Sequence, residues 1–493
     1  MDNLNICFVT TEVYPYAKTG GLADVSSSLP LAMKEMEHDI RLMVPKYRGI
    51  SERKYTLREV IRLKEIPVEM GKHKFLFSAK TSFLMDSKVH IYFLQEDSLF
   101  SRAGLYVDPK TGKDYEDNLE RFAAFSKAVL ETLKILHWSP NIIHCNDWQS
   151  ALIPVYLKFK YHDDEFFSKT KTVLTIHNLA YQGTYPMKFR EVLDLPDELF
   201  EKDGLLEWYD GINLLKGGIL AADYLTTVSP TYASEIANDP DYGYGLETIL
   251  KNRENQLRGI LNGADYSIWN PEIDSLIPVR YNANNLHLKK ENKKILCRYC
   301  NFEYSEDTPL FGMITRLDYQ KGVNLLIEQF EELMKQDMQL VILGAGDPKL
   351  ANQLHELQSK YKDKFYFEFK LNDRLAHLIE AGADIFLMPS RYEPCGLNQI
   401  YSMKYGTLPL VRKTGGLADT VIDVLEDEEN GTGFVFHEFD SKALLNSIKV
   451  AIQKYKEHSD QWKKWQLNGM EKDYSWSRSA DEYLNVYYNL MEQ

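Results

Sequence analysis

Short apolar runs rich in β-branched and aromatic residues alternate with longer amphipathic runs along the whole chain. In the first half, the short runs predict strands at Asn5–Thr11, Asp39–Val44, His90–Phe93, Asn141–Cys145, Thr172–Ile176 and Tyr224–Val228. In the second half, they predict strands at Leu310–Thr315, Gln339–Leu343, Phe365–Phe369, Ile385–Met388 and Leu408–Val411. Buried apolar strands that alternate with helices are typical of parallel sheets covered by helices on both faces. Because the pattern occurs twice, it predicts an α/β protein with two Rossmann-like domains.

The amphipathic runs place the helices and the join between the domains. They predict helices at Leu119–Leu136, Ala151–Lys160, Val323–Lys335, Lys349–Tyr361, Leu375–Ala381, Leu397–Tyr405, Leu417–Val424 and Trp476–Met491. The join falls near Gly259–Pro271, which is rich in turn-forming residues. The polar stretch Asn282–Lys294 is predicted to be a mobile surface segment. Two facing α/β domains leave a crevice at the carboxyl ends of their strands, where such folds bind ligands.

Composition and charge exclude several classes of protein. The 493 residues are 44% hydrophobic and 26% charged, as in ordinary globular proteins, and the net charge is -14. An acidic surface repels phosphate, so neither a nucleic-acid partner nor a membrane partner is expected. The sequence shows no signal peptide and no run of roughly 18 apolar residues. Five cysteines spread over a long chain predict a reduced, cytoplasmic protein.

One heptapeptide occurs twice, as Lys18-Thr19-Gly20-Gly21-Leu22-Ala23-Asp24 and as Lys413-Thr414-Gly415-Gly416-Leu417-Ala418-Asp419. Each copy follows a predicted strand and opens a predicted helix. Paired glycines let a backbone approach a ligand closely, and the N–H groups at a helix start favour an anion. Glycine is also common in ordinary strand-to-helix turns, but an identical heptapeptide in both domains favours a functional interpretation.

Cations follow the first strand of the second domain in the segment Arg316-Leu317-Asp318-Tyr319-Gln320-Lys321-Gly322. Arg316 and Lys321 can clamp a pyrophosphate, the first as a planar fork and the second as a point charge. The alternative is a solvated helix start, although the helix dipole disfavours cations there. Gly344, in the Gly-x-Gly-Asp turn after the next strand, is weak evidence by itself.

Polar residues follow several other strands. Glu393 can accept hydrogen bonds from sugar hydroxyls, although it could also be a helix-start charge. Several such residues at the carboxyl ends of strands that face one crevice indicate a site. The candidates are His144, Asn146, His177 and Asn178 in the first domain and, beside Glu393, Cys395, Gly396 and Leu397 in the second.

Two motifs suggest metal chemistry, but weakly. Cys297 and Cys300 form a CxxC pair without the second pair that a zinc site needs, so an ordinary helix or loop is favoured. Asp239-Pro240-Asp241 resembles the DxD of metal-dependent glycosyltransferases, but it lies in a turn-rich loop. We therefore expect neither a metal nor another cofactor.

The ordered motifs resemble those of bacterial glycogen synthases and plant starch synthases, retaining glycosyltransferase family five, over essentially the full length. The matching blocks are KTGGLADV, DYEDNLERF, NDWQ, TIHNLAYQG, TVSPTYASEI, YGYGLE, GILNGADYSIWNP, RLDYQKG, PSRYEPCGLNQIYSMKYGTLP and RKTGGLADTV. The resemblance implies a GT-B fold with a deep interdomain cleft, ADP-glucose as donor and an α-1,4-glucan as acceptor. It also implies an acceptor domain at 1–258, completed by a returning C-terminal helix at 472–493, and a nucleotide-sugar domain at 259–471.

The resemblance also implies roles for residues. Arg316 and Lys321 hold the diphosphate, Glu393 binds the donor glucose, and the Thr414–Leu417 turn adds backbone N–H donors. Lys18 and Gly21 approach the donor from the other domain. The sugar and acceptor region is shaped by Asp24, Asp117, Asn118 and Asn146.

Some features depart from the family or remain open. Asn146 stands where many bacterial relatives have histidine, and Ala264 where a larger aliphatic residue is usual. Tyr401 stands where related families have a second glutamate, so ribose recognition stays unassigned. Other retaining transferases and a catalytically silent glucan-binding homologue are the alternatives. The residues do not distinguish ADP- from UDP-glucose, and they leave the oligomeric state open.

Overall fold

The computed structural model describes residues 3–85, 87–457 and 459–492. The chain divides into two compact units. The first contains the chain up to Val228, the segment Ala233–Gly263 and the residues from Trp476 onward. The second contains the short segment Ser229–Tyr232 together with Ala264–Ser475.

The first unit is built on a ten-stranded sheet in the order β15-β14-β10-β9-β1-β2-β6-β5-β3, with β4 also paired to β5. Its strands from β15 to β6 are parallel, whereas β3, β4 and β5 are antiparallel to their neighbours. Two smaller sheets, β7-β8 and β11-β13-β12, lie in loops. The strands are β1 (Asn5–Val9), β2 (Asp39–Pro45), β3 (Arg58–Glu59), β4 (Ile66–Met70), β5 (His73–Phe83), β6 (His90–Gln95), β7 (Val107–Asp108), β8 (Lys113–Asp114), β9 (Ile142–Asn146), β10 (Lys171–Ile176), β11 (Thr184–Pro186), β12 (Glu207–Trp208), β13 (Gly211–Asn213), β14 (Tyr224–Thr227) and β15 (Leu257–Gly259).

The second unit has a six-stranded parallel sheet in the order β18-β17-β16-β19-β20-β21. Three of its strands, β17, β19 and β20, are almost entirely buried, which explains their continuous apolar runs in the sequence. The strands of this sheet are β16 (Leu310–Leu317), β17 (Gln339–Gly346), β18 (Phe365–Phe369), β19 (Ile385–Met388), β20 (Leu408–Arg412) and β21 (Phe434–Phe436). The predicted pair of parallel α/β domains is confirmed.

Helices connect the strands in both units, and apolar side chains at helical spacing cover the sheets. They are α1 (Leu22–Glu35), α2 (Asp97–Phe100), α3 (Asn118–Leu136), α4 (Asp147–Ser150), α5 (Leu152–Phe159), α6 (Leu214–Ala221), α7 (Pro230–Asn238), α8 (Pro240–Gly243), α9 (Glu247–Asn252), α10 (Lys289–Tyr299), α11 (Val323–Glu328), α12 (Phe330–Met334), α13 (Pro348–Lys360), α14 (Asp373–Gly382), α15 (Asn398–Lys404), α16 (Gly415–Thr420), α17 (Ser441–Glu457), α18 (Ser459–Glu471) and α19 (Trp476–Met491).

The C-terminal helix α19 belongs to the first unit. Its buried residues recur at helical spacing and include Ala480, Tyr483, Leu484 and Tyr487. This apolar face packs against α1.

The prediction of a mobile segment at Asn282–Lys294 is wrong. The segment forms a short 3-10 helix followed by α10, and three of its polar residues, Lys289, Asn292 and Lys293, are buried. The Lys289 ammonium donates to the carbonyls of Glu380 and Ala381 and to the Thr407 hydroxyl. Polar composition concealed a partly buried helix because Lys289 and Lys293 have their partners inside the protein. The predicted helix at Val323–Lys335 is also interrupted, since Gln329 separates α11 from α12.

Strand order determines where functional side chains can meet. In the first sheet β10, β9 and β1 are neighbours, and in the second β16, β19 and β20 are neighbours. Because each set is parallel, the loops that follow its strands gather at one edge of the sheet.

Candidate functional site

The loop after β16 is a rigid turn that presents Arg316. Asp318 accepts hydrogen bonds from the Lys321 backbone N–H (3.0 Å) and from Arg316 Nε (2.5 Å). Gln320 accepts from Arg316 Nη2 at 3.2 Å. Half of the Arg316 side chain is exposed (52%), so its guanidinium is oriented by its own loop yet accessible to an anion.

The same loop is joined to the segment after β19. Gly322 has a φ of 71°, and a Cβ there would lie 2.0 Å from the carbonyl oxygen of Pro389. Gln320 Nε2 donates to the Tyr392 carbonyl, and the Arg391 N–H donates to the Gln320 carbonyl. Glycine is therefore required here for two backbones to pack closely.

This junction brings together a predicted cation and a predicted carboxylate. Lys321 Nζ lies 2.6 Å from Glu393 Oε2, which also accepts from the Ser390 hydroxyl at 3.0 Å. Glu393 is buried, with 6% of its surface exposed. The structure thus places Arg316, Lys321 and Glu393 at one edge of the second sheet.

The second heptapeptide packs against the Glu393 segment rather than leaving its backbone open. A Cβ on Gly415 would lie 2.0 Å from the Glu393 carbonyl oxygen, and one on Gly416 would lie 2.1 Å from that of Cys395. The Gly416 N–H bonds to the carbonyls of Glu393 and Pro394. The Leu417 N–H bonds to Thr414, a fully buried residue that precedes α16. The prediction that this turn supplies N–H donors to a ligand is therefore wrong for Gly416 and Leu417.

The residues after Glu393 are held by a residue that the motif analysis did not single out. Gln399 Nε2 donates to the carbonyls of Cys395 and Gly396 and to the Thr420 hydroxyl, each at 3.1 Å. Cys395 is buried, and Leu397 precedes the first turn of α15. The Cys395 and Leu397 side chains thus serve the shape of this loop.

Gly344 has a structural reason for being glycine. It lies in β17, where a Cβ would come within 2.5 Å of the Thr315 carbonyl oxygen of the neighbouring strand. Asp347 begins α13 by accepting from the Lys349 N–H. The Gly-x-Gly-Asp turn therefore combines close strand packing with a helix cap. Close packing alone explains why residue 344 is glycine, and its ligand role stays a prediction.

The first heptapeptide differs from the second. Lys18 Nζ pairs with Asp24 at 2.7 Å on the surface. Among the described residues other than its chain neighbours, none lies within 4 Å of a Cβ built on Gly20 or Gly21. The carboxylate of Glu12, a residue that sequence analysis missed, accepts from the N–H groups of Thr19 and Gly20. The Lys18–Asp24 turn is therefore open on one side and anchored on the other.

Asp117 and Asn118 are held by arginines. Arg102 binds both carboxylate oxygens of Asp117. Asn118 is buried, donates to the Tyr106 carbonyl and accepts from Arg121 at 2.6 Å. We therefore correct the prediction for Asn118, which positions α3 and the Tyr106 loop and has no exposed polar group.

His144 is likewise a core residue rather than a substrate ligand. It is 1% exposed, and its ring nitrogens contact the hydroxyls of Tyr487 (2.5 Å) and Thr175 (2.6 Å). Burial lowers its pKa to about 3. A neutral imidazole with both nitrogens occupied connects β9 to β10 and α19. The signal that could have revealed this is its place inside the apolar run, two residues before the strand ends.

Asn146, His177 and Asn178 do meet at the edge of the first sheet. Asn146 is buried, donates to the Val9 carbonyl and accepts from His177 Nε2 at 2.8 Å. Asp147 accepts the His177 N–H at 2.7 Å, and burial raises the pKa of its carboxyl to about 7. The partly exposed His177 and Asn178 can contact a ligand, while Asn146 acts through His177.

Lowering the pH is expected to destabilise the fold through His144. Its pKa is lower in the folded protein than in the unfolded chain, so protons bind preferentially to the unfolded chain below about pH 6.5. Below about pH 6.5, His144 should lower the free energy of unfolding by about 1.4 kcal/mol for each unit by which the pH is lowered. Urea unfolding of the wild type and His144→Asn at a series of pH values measures this. The free energy of unfolding of His144→Asn should depend less steeply on pH than that of the wild type, because one histidine no longer contributes. Equal slopes for the two proteins would contradict the role of His144.

The two weaker motifs have structural explanations. Cys297 and Cys300 are buried in the core of the second unit, and Asp239 caps α8 by accepting from the Asp241 N–H. No cluster of three or more metal-ligating side chains occurs among the residues that the structure describes. Tyr401 stacks on Trp269 with ring centres 4.4 Å apart, which explains an aromatic residue at that position.

Comparison with known proteins identifies the class. Residues 5–252 match the family described as the starch synthase catalytic domain, and residues 301–466 match the glycosyl transferases of group 1. The catalytic domain of starch synthase IV from Arabidopsis thaliana, solved with ADP and acarbose, aligns over 100% of both chains with a TM-score of 0.90 and 30% identity. Sucrose-phosphate synthase from Thermosynechococcus elongatus shares the fold, with a TM-score of 0.60, 18% identity and 99% of both chains covered. The fold and the matched family models define a glycosyltransferase of the GT-B class.

Curated relatives narrow the class further. A glycogen synthase from Thermotoga petrophila is 44% identical over 98% of both chains, and one from Thermotoga maritima is 43% identical over the same share. The chain belongs to the family of glycogen synthases and starch synthases. It is therefore an enzyme that transfers glucosyl units in the synthesis of these polymers.

Membrane insertion through helices finds no support in the structure. Within residues 3–85, 87–457 and 459–492, no helix combines the length and the apolar character that crossing a bilayer requires.

Proposed function

We propose that this chain transfers glucose from ADP-glucose to the non-reducing end of an α-1,4-glucan, with retention of the anomeric configuration. The relatives named glycogen synthase and the related structure that contains ADP and acarbose support the choice of substrates. All five cysteines are buried, and a chain with few cysteines suits a reducing compartment, so we include a cytoplasmic location in the proposal.

The observation that carries the proposal is the Lys321–Glu393 pair beside Arg316. Breaking the bond between glucose and phosphate leaves positive charge on the sugar and negative charge on the departing diphosphate. We assign Arg316 and Lys321 to the diphosphate, because preorganised cations stabilise charge that develops during a reaction. Glu393 is assigned to the donor glucose, since a carboxylate accepts hydrogen bonds from sugar hydroxyls.

The pair also explains how Lys321 remains in place before substrate arrives. A buried carboxylate and a nearby ammonium compensate each other and hold both side chains in one orientation. The incoming diphosphate then adds a second anion to a cation that is already oriented. Such preorganisation reduces the reorganisation that the reaction itself requires.

In the first unit, we assign substrate contacts to the residues with accessible atoms. Lys18 and the open backbone at Gly20 and Gly21 suit an anionic group, and Asp24 is the partner that Lys18 exchanges for it. His177, Asn178 and Asp117 suit sugar hydroxyls. No side-chain nucleophile is assigned, and we propose departure and attack on the same face of the sugar, assisted by the leaving phosphate.

Release of nucleoside diphosphate tests the proposal. The purified protein with ADP-glucose and glycogen should release ADP and extend the glucan, whereas UDP-glucose should react more slowly. A preference for UDP-glucose would overturn the donor assignment. Glucan binding without release of either nucleotide would show a catalytically silent binding protein and overturn the proposed function.

A further inference from the structure

Glu12 is a buried carboxylate that lies three residues after the end of β1. Only 4% of its surface is exposed. Among the described residues, no salt bridge includes Glu12. A buried charge without a counterion is costly unless hydrogen bonds replace its hydration. The groups that donate these bonds therefore indicate the role of Glu12.

Four donors surround the Glu12 carboxylate. Oε2 accepts from the N–H groups of Thr19 (2.5 Å) and Gly20 (3.1 Å). Oε1 accepts from the Thr19 hydroxyl at 2.5 Å and from the phenol of Tyr106 at 2.9 Å. Three of these four bonds reach the first heptapeptide, in the two residues that directly follow Lys18.

The backbone of Glu12 is itself fixed. The Thr10 hydroxyl contacts both the N–H and the carbonyl of Glu12, and it also bonds to Ser26 of α1. The carboxylate is therefore anchored to the strand and to the helix on either side of the turn. Lys18 and Gly21 of the same turn are exposed, and the space that a Cβ on Gly20 or Gly21 would enter is open.

We infer that Glu12 is a positioning residue that holds the Lys18–Gly21 backbone in the shape that receives the anionic part of the substrate. This inference rests on the proposed function of the first heptapeptide. Glu12 is itself inaccessible to substrate, so it acts through the turn that it anchors. A carboxylate is required because an amide has one acceptor oxygen, whereas the donors around Glu12 use two.

Asp223 provides a matched control. Its carboxylate accepts from the N–H and the hydroxyl of Thr172, at 2.7 and 2.8 Å, as Glu12 does with Thr19. Thr172 lies near the amino end of β10, and Asp223 directly precedes β14. Asp223 is exposed whereas Glu12 is buried, but it makes the same two bonds to a threonine and lies at the amino end of the same sheet, away from the loops that follow the strands.

The test compares Glu12→Gln with Asp223→Asn by steady-state kinetics. We expect Glu12→Gln to lower kcat/KM for ADP-glucose about 100-fold through displacement of the turn, with the KM for glycogen unchanged. Asp223→Asn should leave both unchanged. Thr19→Val, at an exposed position, removes one donor without a new buried group, so it should cause a smaller loss in the same direction even if Glu12→Gln folds poorly.

The Lys18→Ala background separates positioning from general stability. If Glu12 acts through the turn, Glu12→Gln should add little to the loss that Lys18→Ala already causes. Equal losses in both backgrounds, or an active Glu12→Gln enzyme, would overturn the inference.

Hydrogen exchange gives a readout that does not depend on turnover. The peptide containing Thr19 and Gly20 should exchange faster in Glu12→Gln and not in Asp223→Asn. Unchanged exchange overturns the anchoring role. Absence of ADP release by the wild type would instead overturn the proposed function, while faster exchange would still support the anchor.

Discussion

Lys321→Ala should lower kcat/KM for ADP-glucose by about 10²–10³-fold, or about 2.7–4 kcal/mol of barrier. Two effects combine in this loss. The substitution removes a cation from the departing diphosphate, and it leaves Glu393 buried with the Ser390 hydroxyl as its remaining partner in this cluster. Initial rates at varied ADP-glucose and saturating glycogen measure the change.

The acceptor provides the internal comparison for Lys321→Ala. The KM for glycogen should stay within about twofold of the wild type, because the substitution removes an interaction that forms with the leaving group. Lys335→Ala is the matched control, since it breaks an exposed lysine–glutamate pair with Glu332 in the same unit. Equal losses of turnover and glucan affinity would contradict the role assigned to Lys321.

Gly416→Ala should damage both stability and activity. The added methyl group would lie 2.1 Å from the Cys395 carbonyl oxygen and 2.5 Å from its Cα, so the Glu393 segment must move. Overpacking of this kind costs about 1–3 kcal/mol and occasionally more, and displacing Glu393 should lower kcat/KM by about 100-fold. Urea unfolding followed in parallel with ADP release measures both effects.

Gly21→Ala, at the equivalent position in the first copy of the heptapeptide, is the control for Gly416→Ala. Nothing lies within 4 Å of its added methyl group, and its φ of -66° suits alanine. The free energy of unfolding should change by less than about 0.5 kcal/mol, while KM for ADP-glucose rises if substrate approaches this backbone. If Gly416→Ala and Gly21→Ala lowered the free energy of unfolding equally, close packing would not distinguish the two copies of the heptapeptide.

Much of the fold was predictable because hydrophobic periodicity is a local property of the chain. The strands from Leu310 to Val411 and the helix Trp476–Met491 were correctly placed from their patterns alone. The segment Asn282–Lys294 was not, because its lysines and asparagines bond to partners in α14 and in distant loops. A polar segment is predicted to lie on the surface unless the partners of its side chains are known.

The candidate site was predictable where a side chain stands at the end of a strand. Arg316, Lys321 and Glu393 were found in this way, and the structure brings them together. His144 was misassigned because a strand residue near its carboxyl end can point into the core instead. Glu12 and Gln399 were missed, since a carboxylate or amide that binds backbone groups carries no motif of its own.

The sequence by itself determined two parallel α/β domains, their strands and the loops that carry charge, because these follow from periodicity and from residues adjacent in the chain. Only the tertiary structure decided which residues become partners. Lys321 meets Glu393, and Glu12 meets Tyr106, across long stretches of sequence. The two identical heptapeptides show why this matters. One copy packs against the Glu393 segment and the other stays open beside Glu12, because surroundings rather than composition determine which backbone atoms are available.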